Sequence, residues 1–344
     1  MINIISKAYL SKTATGPKKV VDNLIKGLDL LGYPYVINKR LDSCKRLWIH
    51  DDVSALKKLK TLPSDINVVV GPNIFILPRH IPENISLSRV VYLHPSRWIK
   101  NFWMHFGYTA GPIEVWPAGI DTNEFKQSDE EKDIVLVYFK QRFPEELKQL
   151  EDILREKHIA FEKVVYGEYQ EAHYKKYLSQ ARYVVWLGRH ESQGIALEEA
   201  LACNVPMLVW DVKSLGHWTP IGKEMSLFTQ EENDFTDTTS AEYFDDTCGI
   251  KIKKADELDS AIERMEKEWQ TFKPRNYILN TLGLEKQAKE LIEVFDTYYG
   301  LSFNAGKSEQ LLASGDWINN RWSYKISLAI RSFAKGILRH LKSL

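Results

Sequence analysis

The sequence predicts an α/β protein built from two Rossmann-like domains facing across a cleft, with a C-terminal amphipathic helical extension. Three observations predict it. Short apolar runs bounded by turn residues alternate with segments of helical period. The alternation restarts after an acidic stretch, "QSDEEKD" at 127–133. The length, 344 residues, suits two domains of ordinary size.

The elements follow in order. "MINIIS" (1–6) reads as a first buried strand. In "GPKKVVDNLIKGLDLLGY" (16–33), Val20, Val21, Leu24, Ile25, Leu28 and Leu31 recur at helical spacing, and Gly32 stops the helix. "YPYVIN", "RLWIH", "INVVVG" and "RVVYLH" supply four more strands, with "VSALKKLKTL" (53–62) as a short amphipathic helix among them. "IEVWPAGIDTNEF" (113–125) is a strand followed by a Pro/Gly turn. After the acidic stretch come the strand "DIVLVYF", the helix "PEELKQLEDILREK", the strand "FEKVVYG" and the helix "QEAHYKKYLSQA". The strand "YVVWLG", the helix "GIALEEALACN" and the strand "PMLVWD" complete the second series. The expected division is 1–122 for the first domain, 123–283 for the second, a return helix at 284–300 and a tail at 301–344.

Composition narrows the function. Hydrophobic residues at 44% and aromatics at 12% are enough for packed cores. Basic and acidic residues balance at 46 each, so no global field draws nucleic acid, and none is expected as a partner. Cys44, Cys203 and Cys248 show neither CxxC nor zinc-like spacing, which argues against a secreted disulfide framework. With no signal-peptide pattern and no run of about 18 apolar residues, the expected location is cytoplasmic.

The tail departs from this balance. From Trp317 onward it holds Arg321, Lys325, Arg331, Lys335, Arg339 and Lys342 and no acidic residue, leaving 40 basic against 46 acidic groups in the rest. Ile318, Trp322, Ile326, Phe333, Ile337 and Leu341 share the opposite face. Such a helix suits an anionic membrane surface, making the protein peripheral, or packing against an acidic body or a subunit.

The chemistry concentrates in "RHESQGIALEEALACNVPMLVWD" (189–211). In open α/β sheets ligands sit beyond the carboxyl ends of strands, where helix N-termini offer N–H groups to phosphate. Ser192, Gly194 and Ile195 are therefore candidate phosphate contacts. Glu199, one turn beyond Ile195, is expected at the rim of the helix, with two acceptor oxygens for the hydroxyls of a ribose. Glu191, in the turn, could reach a sugar beyond the phosphates. The alternative is that both carboxylates merely favour a helix start.

Glu191-x7-Glu199, with Gly194, Ala200, Ala202 and Pro206, resembles the E-x7-E signature of retaining glycosyltransferases of the two-domain B-type fold (GT-B), especially the family 4-like group. Ser192, Gln193 and Asn204 replace that pattern's glycine, aromatic and later glycine. "VWPAGIDTNEF", through Pro117, Gly119, Asp121 and Phe125, looks like the family's interdomain segment, with Ala118 in place of Asn. The likeness covers roughly residues 1–300 and is stronger in the second domain.

The resemblance implies transfer of a sugar from a UDP- or GDP-linked donor to a hydroxyl of a glycan, lipid-linked or other acceptor, with retention. Glu191 would contact the donor sugar and Glu199 the ribose. No cofactor or metal is implied, and the sequence contains no D-x-D triplet. Lys140 and Arg142 would face the diphosphate, against the alternative of ordinary loop cations. Gly167, Glu168 and Tyr169 would form the base pocket, or else a plain strand-end turn. Gly16 would approach the phosphates or the acceptor, or simply open a helix ahead of Pro17. His94 would touch the transferred sugar, or else be structural, with His50 a weaker rival. Two other readings remain: a nucleotide-sugar epimerase of the same fold and a non-catalytic nucleotide-sugar binding module.

Overall fold

The computed structural model describes residues 1–13 and 15–300. The basic amphipathic tail expected at 301–344 lies outside the described residues. Contacts divide the described residues into two compact units, one holding Met1–Leu93, Thr109–Glu114 and 291–300, the other His94–Tyr108 and Val115–Glu290.

The first unit is organised by a six-stranded sheet. Up to residue 115 the elements in chain order are β1 (Ile2–Ile5), α1 (Gly16–Leu30), β2 (Tyr35–Ile37), β3 (Arg46–Ile49), α2 (Val53–Leu56), β4 (Asn67–Val70), β5 (Val90–His94), α3 (Arg97–His105) and β6 (Ile113–Val115). The strand order is β2-β1-β3-β4-β5-β6, with β1 parallel to both β2 and β3. β1, β3 and β5 are buried at every position, which explains why they read as largely apolar runs, broken only by Asn3, Arg46 and His94, rather than alternating ones. Thr15 caps α1 by accepting from the Lys18 N–H, and Pro17 sits in the first turn, where its missing donor is harmless. Contacts assign α3 to the second unit although it precedes β6 in the chain.

The second unit contains β7 (Ile134–Lys140), α4 (Pro144–Glu156), β8 (Phe161–Val165), α5 (Glu171–Gln180), β9 (Ala181–Gly188), α6 (Ile195–Ala202), β10 (Met207–Trp210) and α7 (Gln230–Asn233). β11 (Gly249–Ile252), α8 (Leu258–Glu268), α9 (Pro274–Thr281) and α10 (Leu284–Tyr299) follow. Its five-stranded sheet has the order β11-β10-β9-β7-β8, parallel at each neighbouring pair. One face packs Leu136, Tyr138, Val184 and Trp186 on α5, α6 and α9; the other packs Val135, Val137, Tyr183 and Val185 on α4 and α8.

Two parallel Rossmann-like sheets are thus as the alternation predicts. The expected helix over 53–62 is instead the single turn α2 followed by a 3-10 turn at Leu59–Thr61. Sequence reading passed over α3, β11, α8 and α9. α3 carries Trp98, Ile99, Phe102 and Trp103 at helical spacing, so its signal was present, whereas β11 is four residues with a lysine among them. Cys44, Cys203 and Cys248 are buried. Among the described residues no helix is long and apolar enough to cross a membrane.

Candidate functional site

The chain leaves β7 towards β8 on one side and returns to β9 on the other, so the carboxyl ends of β7 and β9 flank the reversal in strand order. In open parallel sheets that reversal opens a crevice for ligands. Lys140 is the last residue of β7, and Glu191 lies three residues past the end of β9. Their side chains meet there, Lys140 Nζ lying 2.5 Å from Glu191 Oε1, and both are about nine-tenths buried, at 11% and 12% exposure. The Lys140 ammonium also sits 4.2 Å from the centre of the Tyr166 ring, which projects 52% exposed just past β8.

The turn leading into α6 is fixed on several sides. Gly194 is its N-cap at φ 99°, ψ 42°, in the left-handed region that favours glycine. The Glu191 N–H donates to the Thr239 carbonyl at 3.1 Å, and Trp98 Nε1 donates to the Glu191 carbonyl at 2.9 Å. Thr239 is itself held by buried Asp211, whose carboxylate accepts from the Thr239 hydroxyl at 2.8 Å and the Ser240 N–H at 2.7 Å. Ser192 and Ile195 are half-buried beside Gly194. The opening N–H groups of α6 lack helical acceptors, as in any helix, and lie beside this turn.

Glu199 does not sit at an open rim. It is 3% exposed, because every residue from Leu197 to Ala202 is buried where α6 packs between the sheet and α9. Glu198, which carried no expected role, is fully buried and accepts from Gln193 Nε2 at 2.8 Å. Burial pushes its carboxyl up to about 8, opposed by the Gln193 hydrogen bond and aided by the charges of Glu199 and Glu191.

Arg142 is not available to a phosphate. Its guanidinium is spent inside the unit: Nε and Nη2 donate to Glu146 at 2.9 and 2.6 Å, and Nη1 to the carbonyls of Gly188 at 3.2 Å and Trp210 at 2.8 Å. The fork ties the start of α4 to the ends of β9 and β10. Arg189, one residue past β9, donates its backbone N–H to the Lys140 carbonyl at 2.9 Å, while its guanidinium stands 4.6 Å from the Trp218 ring centre and 3.9 Å from Glu224 Oε1. Arg189 and Lys140 act on His190, which burial, aided by both cations, pushes down to about 3. Gln141, at φ 49°, adds an Nε2 bond to Glu224 at 2.7 Å. Sequence reading missed Arg189, Gln141 and Tyr166; the signal available was their position one residue beyond a strand end.

The other expected residues are placed differently. Tyr169 belongs to an aromatic cluster beneath the site, its hydroxyl 3.3 Å from that of Tyr138, which stacks on Trp186 at 4.2 Å and 10°. Gly167 is exposed at φ 86°, and Glu168 beside it is exposed as well. A Cβ on Gly16, at the exposed start of α1 in the first unit, would meet nothing within 4 Å, so no close approach requires glycine there. His94, ending β5, is fully buried with its ring edge-on to Trp103 at 4.4 Å, and burial pushes it down to about 3. His50 lies in the first unit, its Nε2 3.1 Å from the Pro17 carbonyl oxygen. Among the described residues no cluster of three His, Cys, Asp or Glu is arranged to hold a metal ion.

Solved structures similar to this chain share its fold at low sequence identity. Sucrose-phosphate synthase from Thermosynechococcus elongatus is 12% identical over 88% of this chain and 99% of its own, with a TM-score of 0.54. WaaG, a glycosyltransferase involved in lipopolysaccharide biosynthesis, is 11% identical over 86% and 99%, at 0.52. HepE of Anabaena, in complex with UDP and glucose, is 13% identical over 86% and 99%, at 0.51. The chain has the GT-B fold, two parallel-sheet Rossmann-like domains. No protein-family model and no curated protein sequence matches it.

Proposed function

We propose that this protein is a glycosyltransferase that moves a sugar from a nucleoside-diphosphate donor to a hydroxyl acceptor, with retention and without a metal. The observation that carries the reading is the meeting of Lys140 with Glu191 at the strand-order reversal, beside the glycine-capped start of α6. Lys140, Arg189 and the α6 N–H groups form a cationic cradle for the diphosphate. They stabilise the charge that grows on the leaving phosphate oxygen as the anomeric C–O bond breaks. The acceptor hydroxyl attacks on the face being vacated, and its proton passes to that leaving oxygen. Glu191 turns to the donor sugar once the diphosphate engages Lys140. Glu199 accepts from the ribose, its burial restricting that role to a ribose lodged directly on α6. Tyr166 offers an exposed ring for a base to stack on.

The complex of HepE with UDP and glucose makes UDP-glucose a sensible first donor. The test is a thermal-shift screen of UDP-, GDP- and ADP-sugars, followed by measurement of nucleoside diphosphate release with and without hydroxyl acceptors. A binding donor raises the melting temperature in proportion to RT ln(1 + [L]/Kd). The proposal predicts one donor class that binds and turns over, and a Glu191→Gln variant that binds it but turns over more slowly than the wild type. Binding without turnover by the wild type would leave a binding module; no binding by any donor would sink the site assignment.

A further inference from the structure

Gln193 stands where the resemblance expects an aromatic, and Ala118 where it expects Asn. The structure joins these two departures. Gln193 Oε1 accepts from the Ala118 N–H at 2.9 Å, and its Nε2 donates to the Ala118 carbonyl at 2.9 Å. The side-chain amide thus pairs with a backbone amide at two points, as one strand pairs with another. Its remaining N–H goes to Glu198 Oε2 at 2.8 Å. Gln193 is 4% exposed, and Ala118 and Glu198 are fully buried. Ala118 is fixed from behind as well: the Ile120 N–H donates to the Leu282 carbonyl at 2.7 Å, and a Cβ on Gly119 would come within 3.0 Å of Leu284 Cα.

We infer that Gln193 is a positioning residue: its amide fastens the turn bearing Glu191 and Gly194 to the backbone of Ala118, and buried Glu198 holds that amide in place. The geometry determines the orientation of the amide, since reversing it would set N–H against N–H and C=O against C=O at Ala118. A turn held at Gln193 keeps Glu191 and the α6 opening in fixed register, as preorganised charge stabilisation requires.

Glu198 makes the device sensitive to alkali. The groups facing it are Glu191 from the turn, Glu199 on its own helix, Tyr243 from the loop before β11 and Tyr277 from α9, all of them acids. Among the described residues no cation pairs with Glu198. Once ionised, it is a buried charge among acids, relieved only by local opening towards water.

The inference rests on the donor-site reading, and its test separates the two. Amide hydrogen exchange of peptides spanning Ala118 and the turn is followed from about pH 6.5 to about pH 9.5, corrected for the intrinsic exchange rate. It is measured in the wild type, Gln193→Leu and Glu198→Gln, each with its melting curve. In the wild type, protection at Ala118 should fall at least about fivefold between these limits; in Glu198→Gln it should hold; in Gln193→Leu it should be low throughout. With a bound donor, Gln193→Leu should lower kcat by about tenfold with KM changed less than about threefold. Unchanged protection in Gln193→Leu, the same alkaline loss in wild type and Glu198→Gln, or an unchanged kcat would overturn the inference. If no nucleotide sugar shifts the melting of the wild type, the donor reading fails while the exchange contrast at Ala118 persists.

Discussion

Replacing Arg142 by Met separates a structural arginine from a phosphate ligand. The substitution keeps most of the side-chain volume and removes the guanidinium. Five things change together. Glu146 loses both hydrogen bonds from Arg142 and keeps His217 Nε2 at 3.0 Å and the Phe143 N–H at 3.4 Å, the Gly188 and Trp210 carbonyls lose their donor, and the contact over the Trp210 ring is lost. Breaking a buried pair by removing one partner typically costs about 3–5 kcal/mol. Protonation gives an independent figure. Burial pushes the Glu146 carboxyl up, but hydrogen bonds from His217 and Arg142 outweigh it and hold the group at about 2. Against an ordinary value near 4.5, that depression corresponds to about 3 kcal/mol before solvent screening reduces it, and His217, which the variant keeps, supplies part of it, so this figure bounds the Arg142 share from above. The sign is fixed: a depressed acid stabilises the fold above its unfolded value, and the benefit is lost as pH falls through the folded one. Urea unfolding at pH 7, read by tryptophan fluorescence, should therefore show a loss of about 3 kcal/mol or more, with a shallower dependence on acid. Nucleoside diphosphate affinity of the folded variant should stay within about twofold. A variant of wild-type stability that no longer binds the diphosphate would refute the assignment and restore Arg142 to the phosphate site.

Three further outcomes are expected. Lys140→Ala should weaken nucleoside diphosphate binding of the folded variant at least about tenfold by calorimetry; unchanged affinity would exclude Lys140 from the site. Glu198→Gln should gain stability over the wild type as pH rises from about 4.5 to about 8, by about 1.4 kcal/mol per unit, because an acid whose folded value is raised has its full stability only below the unfolded value. A stability difference that does not vary with pH would contradict the burial argument. Gly194→Ala should cost about 1–3 kcal/mol and disturb donor binding, since the φ of 99° rather than crowding demands glycine, the nearest atoms to an added Cβ being 3.8 Å away; a neutral effect in urea unfolding would show that the turn relaxes freely.

What was legible in the sequence was local. Largely apolar runs follow from strands buried on both faces, and the glycine before α6 marks a backbone only glycine adopts easily. Lys140 and Glu191 were nameable because each lies at or just beyond a strand end. What escaped depends on distant partners. Nothing in "FKQRF" shows that Arg142 turns inward, although Glu146 four residues on was a hint of a pair. Glu198 and Glu199 look equivalent to any charged helix residue, because a helix enclosed between a sheet and a second helix has no polar face to reveal its orientation. The pairings of Gln193 with Ala118 and of Asp211 with Ser240 span 75 and 29 residues and have no periodic signature.

If the proposed function holds, the contact between Lys140 and Glu191 makes ligand capture a contest. A diphosphate competes with the carboxylate for the ammonium, and it enters against the charge of that same carboxylate. Glu191→Gln should therefore hold the free nucleoside diphosphate more tightly than the wild type while turning over more slowly. By that account Glu191 also expels the spent product: as the diphosphate departs, the carboxylate reclaims its lysine and the turn resets for the next donor.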